Sequence, residues 1–337
     1  MTRIAVVAAA VALHALVLAA PWLAPYDAVV QHRDAPFAPP ARVRFVGADG
    51  HWRGPFVCAR VQIPGTFFEY AENCSTTFPI RLFVQRTERS GFTTRAARYL
   101  VGVDPPGDLF LLGTDEFGRD VLSRLLIGAR ISILMAIGAA VIALTLALVT
   151  GSIAGYAGGI VDTIVSGATE LVLALPWLYL LLAVRAALPL SLPPAQAVAV
   201  IVGLLGVLGW GRPGRLVRAI VASARGREYV MAARTAGAST SRILVRHVWP
   251  ELAGVLGVAA VVLIRQFIVA ETTLSLFGLG IPEPMPSWGI MLAAAQRPQA
   301  LTETWWLLSP VAGLILVCVM YYALARVLRP GPVPTRF

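Results

Sequence analysis

"REYVMAARTAGASTSRILVRHVWPE", residues 227–251, lies between two apolar segments at about 195–211 and 253–276. Each segment is long enough to cross a bilayer as an α-helix, which takes roughly 17–25 residues. The connecting loop, 211–250, carries eight arginines against one acid, Glu228. The stretch therefore predicts a basic helical loop that joins two membrane spans.

The rest of the chain is also typical of a membrane protein. Its 337 residues are 57% hydrophobic and 14% charged, and the mean hydropathy is +0.74. Soluble domains carry about 25% charged residues. We predict an all-α integral membrane protein with six transmembrane helices. Besides the two segments above, the spans are expected at about 1–24, 131–154, 165–187 and 305–327.

The polar composition between the first two spans predicts a separate domain. After the first transmembrane helix, 1–24, residues 25–126 form an insert with short strands. A five-helix core follows over 127–330, with the loop 211–250 inside it, and a tail over 331–337 ends the chain. Where the insert meets the core, Leu122, Leu125, Leu126 and Arg130 predict an amphipathic helix that lies at the membrane interface before the chain turns into the second span.

Orientation follows from the arginines in the short loops, because cytoplasmic loops are enriched in them. The basic loop and the arginine-containing tail are expected in the cytoplasm, together with both termini. The insert is then extracytoplasmic. Trp288, Trp305 and Trp306 are expected in an aromatic belt at the outer interface.

The type of basic residue excludes several functions. All 28 basic residues are arginine, so the chain cannot form a phosphate-binding P-loop, which needs lysine. We therefore expect no cofactor in this chain, and any ATP that drives its work must be bound by a partner. The formal charge of +10 is attributed to cytoplasmic loops rather than to nucleic-acid binding. Neither HExxH nor GxSxG occurs, so an intramembrane enzyme is not expected.

The cysteines leave one question open. Cys318 lies in the last apolar segment, where a buried thiol is expected. Cys58 and Cys74 share the polar insert, so they pair if it faces an oxidising compartment and stay free otherwise.

The basic loop has the signature of two short helices. Tyr229, Ala232, Ala233 and Ala236 recur at helical spacing and give one almost flat side, which a partner helix can approach closely. Gly237 is a typical helix stop, because glycine adopts the left-handed conformation without a Cβ penalty.

A second helix is expected directly after that stop. Ser239 or Thr240 caps its start, and Pro250 marks either its end or the beginning of the next span. The physical pattern alone fits a docking element and an ordinary hairpin equally well.

The spacing of Ala232, Ala233, Gly237 and Pro250 resembles the cytoplasmic loop of permease subunits of binding-protein-dependent ABC importers. Met231 stands where that family has glutamate. The resemblance implies a type I, MetI-like permease fold, a location in a bacterial inner membrane and a contact with an ATPase. The implied ATPase-coupling residues are Glu228, Met231, Ala232, Ala233, Gly237, Ser239, His247 and Pro250.

Two further stretches narrow the resemblance. "LGTDEFGRDVLSRLLIGARISI", 112–132, and "TLSLFGLGIPEPMPSWGIML", 273–292, are similar to the second permease of dipeptide, oligopeptide and nickel importers. This implies a homologous permease subunit, two cytoplasmic ATPase subunits, an extracytoplasmic solute-binding protein and surrounding membrane lipid as partners. The implied pathway or outer-gate candidates are Asp115, Arg119, Asp120, Glu271 and Trp288. The alternative is an ion-coupled secondary transporter or channel, which needs ionisable clusters in the membrane.

Overall fold

The structure is a computed structural model. It describes residues 2–47, 50–63, 65–66, 69–90, 93–174, 176–189, 191–296 and 302–329. The chain forms two compact units, and each is treated by itself. The core unit comprises Met1–Ala10, Ile133–Leu274 and Val317–Phe337, and the sheet unit comprises Val11–Ser132 and Ser275–Leu316.

The helices account for most of the described chain. They are α1 (Arg3–Leu23), α2 (Val121–Ala157), α3 (Gly159–Ala174), α4 (Trp177–Ala187), α5 (Pro194–Gly209), α6 (Gly211–Ala224), α7 (Glu228–Thr235), α8 (Thr240–Ile243), α9 (Trp249–Leu276), α10 (Trp288–Ala294) and α11 (Ser309–Leu328). Four helical segments are individually long and apolar enough to cross a membrane, and two bent pairs, α3 with α4 and α5 with α6, pass the same test together. Counting each pair as one span gives up to six, in agreement with the predicted number.

The second span begins earlier than expected. α2 runs for 37 residues without interruption, so the separate interfacial helix predicted over Leu122–Arg130 was wrong. Every residue from Val121 to Arg130 is buried or half-buried, and a Cβ at Gly128 would lie 3.4 Å from backbone atoms of Ser287. The apolar side of this segment packs on protein rather than on the membrane interface, and no proline interrupts the helix.

The insert contains one antiparallel sheet in the order β1-β2-β3-β4. Its strands are β1 (Arg44–Val46), β2 (Trp52–Gln62), β3 (Tyr70–Ser90) and β4 (Thr93–Val103). The two central strands are joined by a disulfide between Cys58 and Cys74, the pairing that the sequence left open. Glu72 lies close to both sulfurs, but the disulfide removes them as metal ligands.

Glycines let two helices of the core unit approach closely. A Cβ at Gly151 of α2 would lie 2.6 Å from the carbonyl oxygen of Gly214, and one at Gly155 would lie 2.5 Å from that of Arg218. Both carbonyls belong to α6. Small residues permit such close helix packing inside membranes. α2 therefore packs tightly against α6, the first helix of the basic loop.

Candidate functional site

The predicted first helix of the basic loop is present as α7. Val230 is its one buried residue among those the structure describes, at 1% exposure, while Tyr229 and Met231 are exposed. Ala232 and Ala236 are exposed as well, and Ala233 is half-buried. One face of α7 is therefore fixed to the protein, and the small-residue face is left open.

α7 ends at Gly237 as predicted, in the left-handed conformation with φ of +80°. The amide of Gly237 donates to the carbonyl of Arg234 at 3.0 Å, and the amide of Ala238 donates to that of Ala233 at 3.0 Å. These two bonds define a Schellman motif, which satisfies the last carbonyls of a helix.

The second helix starts at the predicted cap. The Ser239 hydroxyl accepts a hydrogen bond from the amide of Arg242. α8 continues through a widened π turn, Leu244–Val248, into α9, so Pro250 lies at the start of the next span and does not end a helix. Proline lacks an amide donor and clashes with the carbonyl four residues earlier, and a wider turn before it relieves that conflict.

A buried apolar cluster lies beneath α7 and joins four segments of the core unit, α7 among them. It is formed by side chains of α6, α7, α8 and the π turn with the first turn of α9. Its buried members are Val217, Val221, Ala224, Val230, Ile243, Val248 and Leu252. Leu148 and Tyr156 of α2 pack against it. The exposed face of α7 therefore rests on a continuous packed base, which we call the coupling cluster.

Polar contacts add to this packing. The Arg227 guanidinium lies 2.8 Å from Glu251 Oε2, and the Tyr229 hydroxyl donates to Glu251 Oε1 at 3.0 Å. The pKa of Tyr229 is raised, mainly by burial and to a smaller extent by the Glu251 carboxylate. The Tyr229 hydroxyl therefore keeps its proton and remains a hydrogen-bond donor. The Trp249 indole donates to the Ser152 hydroxyl at 3.1 Å and links α9 to α2.

The predicted ATPase-coupling residues all lie between Glu228 and Pro250 of the basic loop. Apart from half-buried Ala233, they are exposed: Glu228, Met231, Ala232, Gly237, Ser239, His247 and Pro250. Sequence reasoning missed Val230 and Glu251. Val230 is a branched aliphatic residue in a helix otherwise rich in alanine and polar residues, which is a usable signal for the buried side. Glu251 carried no local signal, because its partners Arg227 and Tyr229 lie 24 and 22 residues earlier in the chain.

The motif at 112–132 forms a buried ionic cluster in the sheet unit. Arg119 Nε donates to Asp115 Oδ2 at 2.6 Å, and Arg119 Nη1 donates to Glu283 Oε2 at 3.0 Å. Arg124 Nη2 donates to Glu283 Oε1 at 2.9 Å. Asp115 and Arg119, two of the outer-gate candidates, are thus paired with each other, and the sequence analysis missed Arg124 and Glu283. Two arginines face two carboxylates, so the cluster is balanced and ties the loop at 281–287 to the start of α2.

Asp120 lies at the N-terminus of α2 and takes no part in these ion pairs. Its Oδ2 accepts hydrogen bonds from the Ser123 amide at 2.8 Å and the Ser123 hydroxyl at 2.6 Å. The side chain is fully buried, and burial raises its pKa to about 7. Asp120 is therefore a capping residue with no opening to a transported ligand among the described contacts.

Two of the three tryptophans predicted in the outer aromatic belt were placed incorrectly. Trp288 and Trp306 are each 3% exposed and donate to the carbonyls of Leu125 at 3.0 Å and Thr114 at 2.9 Å. Both side chains are buried inside the sheet unit, where each indole N–H donates to a backbone carbonyl. They are therefore not members of an interfacial belt. Trp305 alone of the three is exposed. Glu271 is buried in α9 of the core unit, and its predicted pathway role stays a prediction.

Residues 147–332, more than half of the chain, match the family model "Binding-protein-dependent transport system inner membrane component". The oligopeptide permease OppC of Bacillus subtilis (strain 168) is 36% identical over 63% of this chain and 67% of its own length. The dipeptide permease DppC of the same organism is 36% identical over 60% and 61%. The di/tripeptide permease DppC of Pseudomonas aeruginosa (strain UCBPP-PA14) is 36% identical over 63% and 67%.

A solved structure of the methionine ABC transporter MetNI, described as inward facing, covers 61% of this chain and 96% of its own, with 16% identity and a TM-score of 0.46. The matched region of this chain spans 61–67% of the length of the three permeases named above.

The family match confirms the expected non-enzymatic permease and decides against the ion-coupled transporter. Systems of this type also include an ATPase and a binding protein. The chain therefore belongs to the inner membrane components of binding-protein-dependent transport systems and is a non-catalytic, multi-pass permease subunit of the inner membrane.

Proposed function

We propose that this chain forms half of the translocation pathway of a peptide importer and receives mechanical force from an ATPase through α7. The observation that carries the proposal is the exposed face of α7, with Ala232, Ala236 and Gly237, resting on the coupling cluster. A partner can approach small side chains closely, and a packed base does not yield locally under load.

The proposed orientation has the basic loop and both termini in the cytoplasm and the insert outside. The eight arginines against one acid in 211–250 support it, since cytoplasmic loops are enriched in arginine. The disulfide between Cys58 and Cys74 supports the same orientation, because disulfides persist in oxidising compartments. The proposed partners are a homologous permease subunit, two ATPase subunits and an extracytoplasmic solute-binding protein.

The proposed mechanism is a rigid-body one. Closure of the ATPases displaces α7, and Val230 passes that displacement to the helices that share its cluster. Because α6 forms a bent span with α5 and α9 is part of a span itself, their movement alternately opens and closes the pathway. The role of this chain is to transmit force, and it needs no catalytic residue.

Peptides are the proposed substrate. The support is that three relatives with 36% identity are named for oligopeptide, dipeptide or di/tripeptide transport. Nickel and other small solutes remain the competing substrates that the family resemblance implies.

The test is to co-express the full chain with candidate ATPase subunits and the second permease, purify the complex and measure ATP-driven uptake into proteoliposomes. Ala232→Trp places a bulky side chain on the exposed face of α7, and we expect loss of ATPase co-purification without loss of membrane insertion. Ala71→Trp, at an exposed alanine of the insert, is the matched control and should co-purify normally. Uptake that persists without any ATPase would defeat the proposal.

A further inference from the structure

The sheet unit contains a cleft that the coupling mechanism does not use. Residues of the insert and Trp305 line it, and its volume is about 500 Å³. Its lining residues are Pro39, Pro40, Ala41, Arg42, Arg60, Tyr70, Glu72 and Trp305. Sites for small ligands are typically concave spaces of about 300–1,000 Å³. This cleft has that size, and polar and apolar groups contribute to its walls in similar measure.

The apolar walls are held in place by neighbouring contacts. The Tyr70 hydroxyl donates to the carbonyl of Pro36, which fixes its ring beside the proline segment. Trp305 is 58% exposed, and its ring lies 6.1 Å from that of Trp306 in an edge-to-face arrangement. Since the Trp306 indole donates to the Thr114 carbonyl, Trp305 is supported by an anchored neighbour while one face stays open. A half-exposed tryptophan next to tyrosine is suited to an apolar or aromatic side chain.

The charges around the cleft do not balance. Glu72 is the one acid in the described lining, and it pairs with Arg44 at 2.7 Å and lies 4.0 Å from Arg42. Arg60 donates to the carbonyl of Pro39, and burial lowers the pKa of its guanidinium. Three arginines therefore surround one carboxylate, and the Arg42 side chain is 78% exposed at the mouth of the cleft. An anion that enters gains charge-assisted hydrogen bonds, and arginine is well matched to a carboxylate.

We propose that this cleft binds the C-terminal carboxylate and the last side chain of a free peptide, with Arg42 and Arg60 on the carboxylate and Tyr70 and Trp305 on the side chain. The choice of a peptide rests on the proposed substrate, whereas the preference for a carboxylate beside an apolar group rests on the cleft itself. The sheet unit thus contributes a peptide site of its own.

The experiment measures binding of the tripeptide Ala-Ala-Phe to the full chain in nanodiscs, without ATPase or binding protein, by isothermal titration. We expect saturable binding, and we expect amidation of the peptide C-terminus to weaken it about tenfold or more, as loss of one charge-assisted contact does. Acetylation of the peptide N-terminus should change it little. Equal binding of the amide, or no binding of the free peptide, overturns the proposal.

Matched variants separate the cleft from general charge and aromatic effects. Arg42→Gln and Trp305→Ala should each weaken binding about tenfold. Arg33→Gln and Trp52→Ala remove the same groups at exposed positions of the insert outside the cleft, and binding should stay unchanged. Equal effects in the cleft and control variants would also overturn the proposal.

A carboxylate side chain of the delivering protein presents the same chemistry, so a second titration uses the solute-binding protein without peptide. If that protein binds and the free peptide does not, the cleft is a docking site and the proposal fails. Failure here leaves ATPase co-purification unaffected, so it is distinguishable from failure of the proposed function.

Discussion

Replacement of Gly237 tests whether the turn after α7 depends on backbone conformation. With φ at +80° and no atom within 4 Å of a built Cβ, a side chain there meets strain but no clash. The left-handed conformation costs an ordinary residue about 1–2 kcal/mol, and asparagine tolerates it best. We expect Gly237→Asn to be close to wild type, Gly237→Ala to cost about 1–2 kcal/mol and Gly237→Val to cost more, because a β-branched residue is a genuine outlier there.

This conformational cost should appear as more frequent opening of the turn after α7. A penalty of 1–2 kcal/mol raises the opened population roughly 5- to 30-fold, so the amides of Gly237 and Ala238, which donate to Arg234 and Ala233, should exchange faster by about that factor. The assay is hydrogen–deuterium exchange of the full chain in nanodiscs. Gly226→Ala is the control, because Gly226 has open space and an ordinary φ.

ATPase activity of the assembled complex should fall in the order asparagine, alanine, valine if the turn positions α7 for docking. An asparagine variant as defective as the valine variant would refute the reasoning, because it would show that bulk at Gly237, and not backbone strain, is what the complex rejects.

Three further predictions concern the sheet unit. Glu283→Gln removes the carboxylate shared by Arg119 and Arg124 and should lower the free energy of unfolding by about 1–3 kcal/mol. The loss is smaller than for breaking a fully buried ion pair, because the Glu283 side chain is 42% exposed. Thermal unfolding in detergent measures it, with exposed Glu69→Gln expected to be neutral. The raised pKa of Asp120, about 7, means that the folded state binds a proton that the unfolded state has lost, so Asp120 lowers stability as pH rises from about 4 to 7. In Asp120→Asn the free energy of unfolding should fall by up to about 4 kcal/mol less over this pH range than in the wild type. If the slope of the free energy of unfolding against pH is unchanged, the raised pKa of Asp120 is contradicted. Reduction of the disulfide that closes a 16-residue separation in the insert should cost about 3 kcal/mol, seen as a lower denaturation temperature with reductant than without.

Local chemistry explains why the turn of the basic loop was predictable. Gly237 and Ser239 are a stop and a cap whose effect depends on their immediate neighbours, and both act as predicted. The ionic cluster is different, since Arg124 and Glu283 are 159 residues apart and no spacing rule connects them.

The errors arose where tertiary packing overrode a general tendency. Tryptophan commonly lies at membrane interfaces, but Trp288 and Trp306 found backbone acceptors inside the sheet unit and were buried. The pattern over Leu122–Arg130 is amphipathic in either setting, and only the loop packed against Gly128 shows that its apolar side is covered by protein.

The central claim is that α7 contacts an ATPase on the cytoplasmic side, and site-specific crosslinking tests it most directly. A photo-crosslinker attached at Ala232→Cys on the exposed face of α7 should link to the ATPase, and the same probe at Ala71→Cys on the insert should not. An Ala232 probe that labels only lipid or the second permease, or an Ala71 probe that labels the ATPase, would contradict the account.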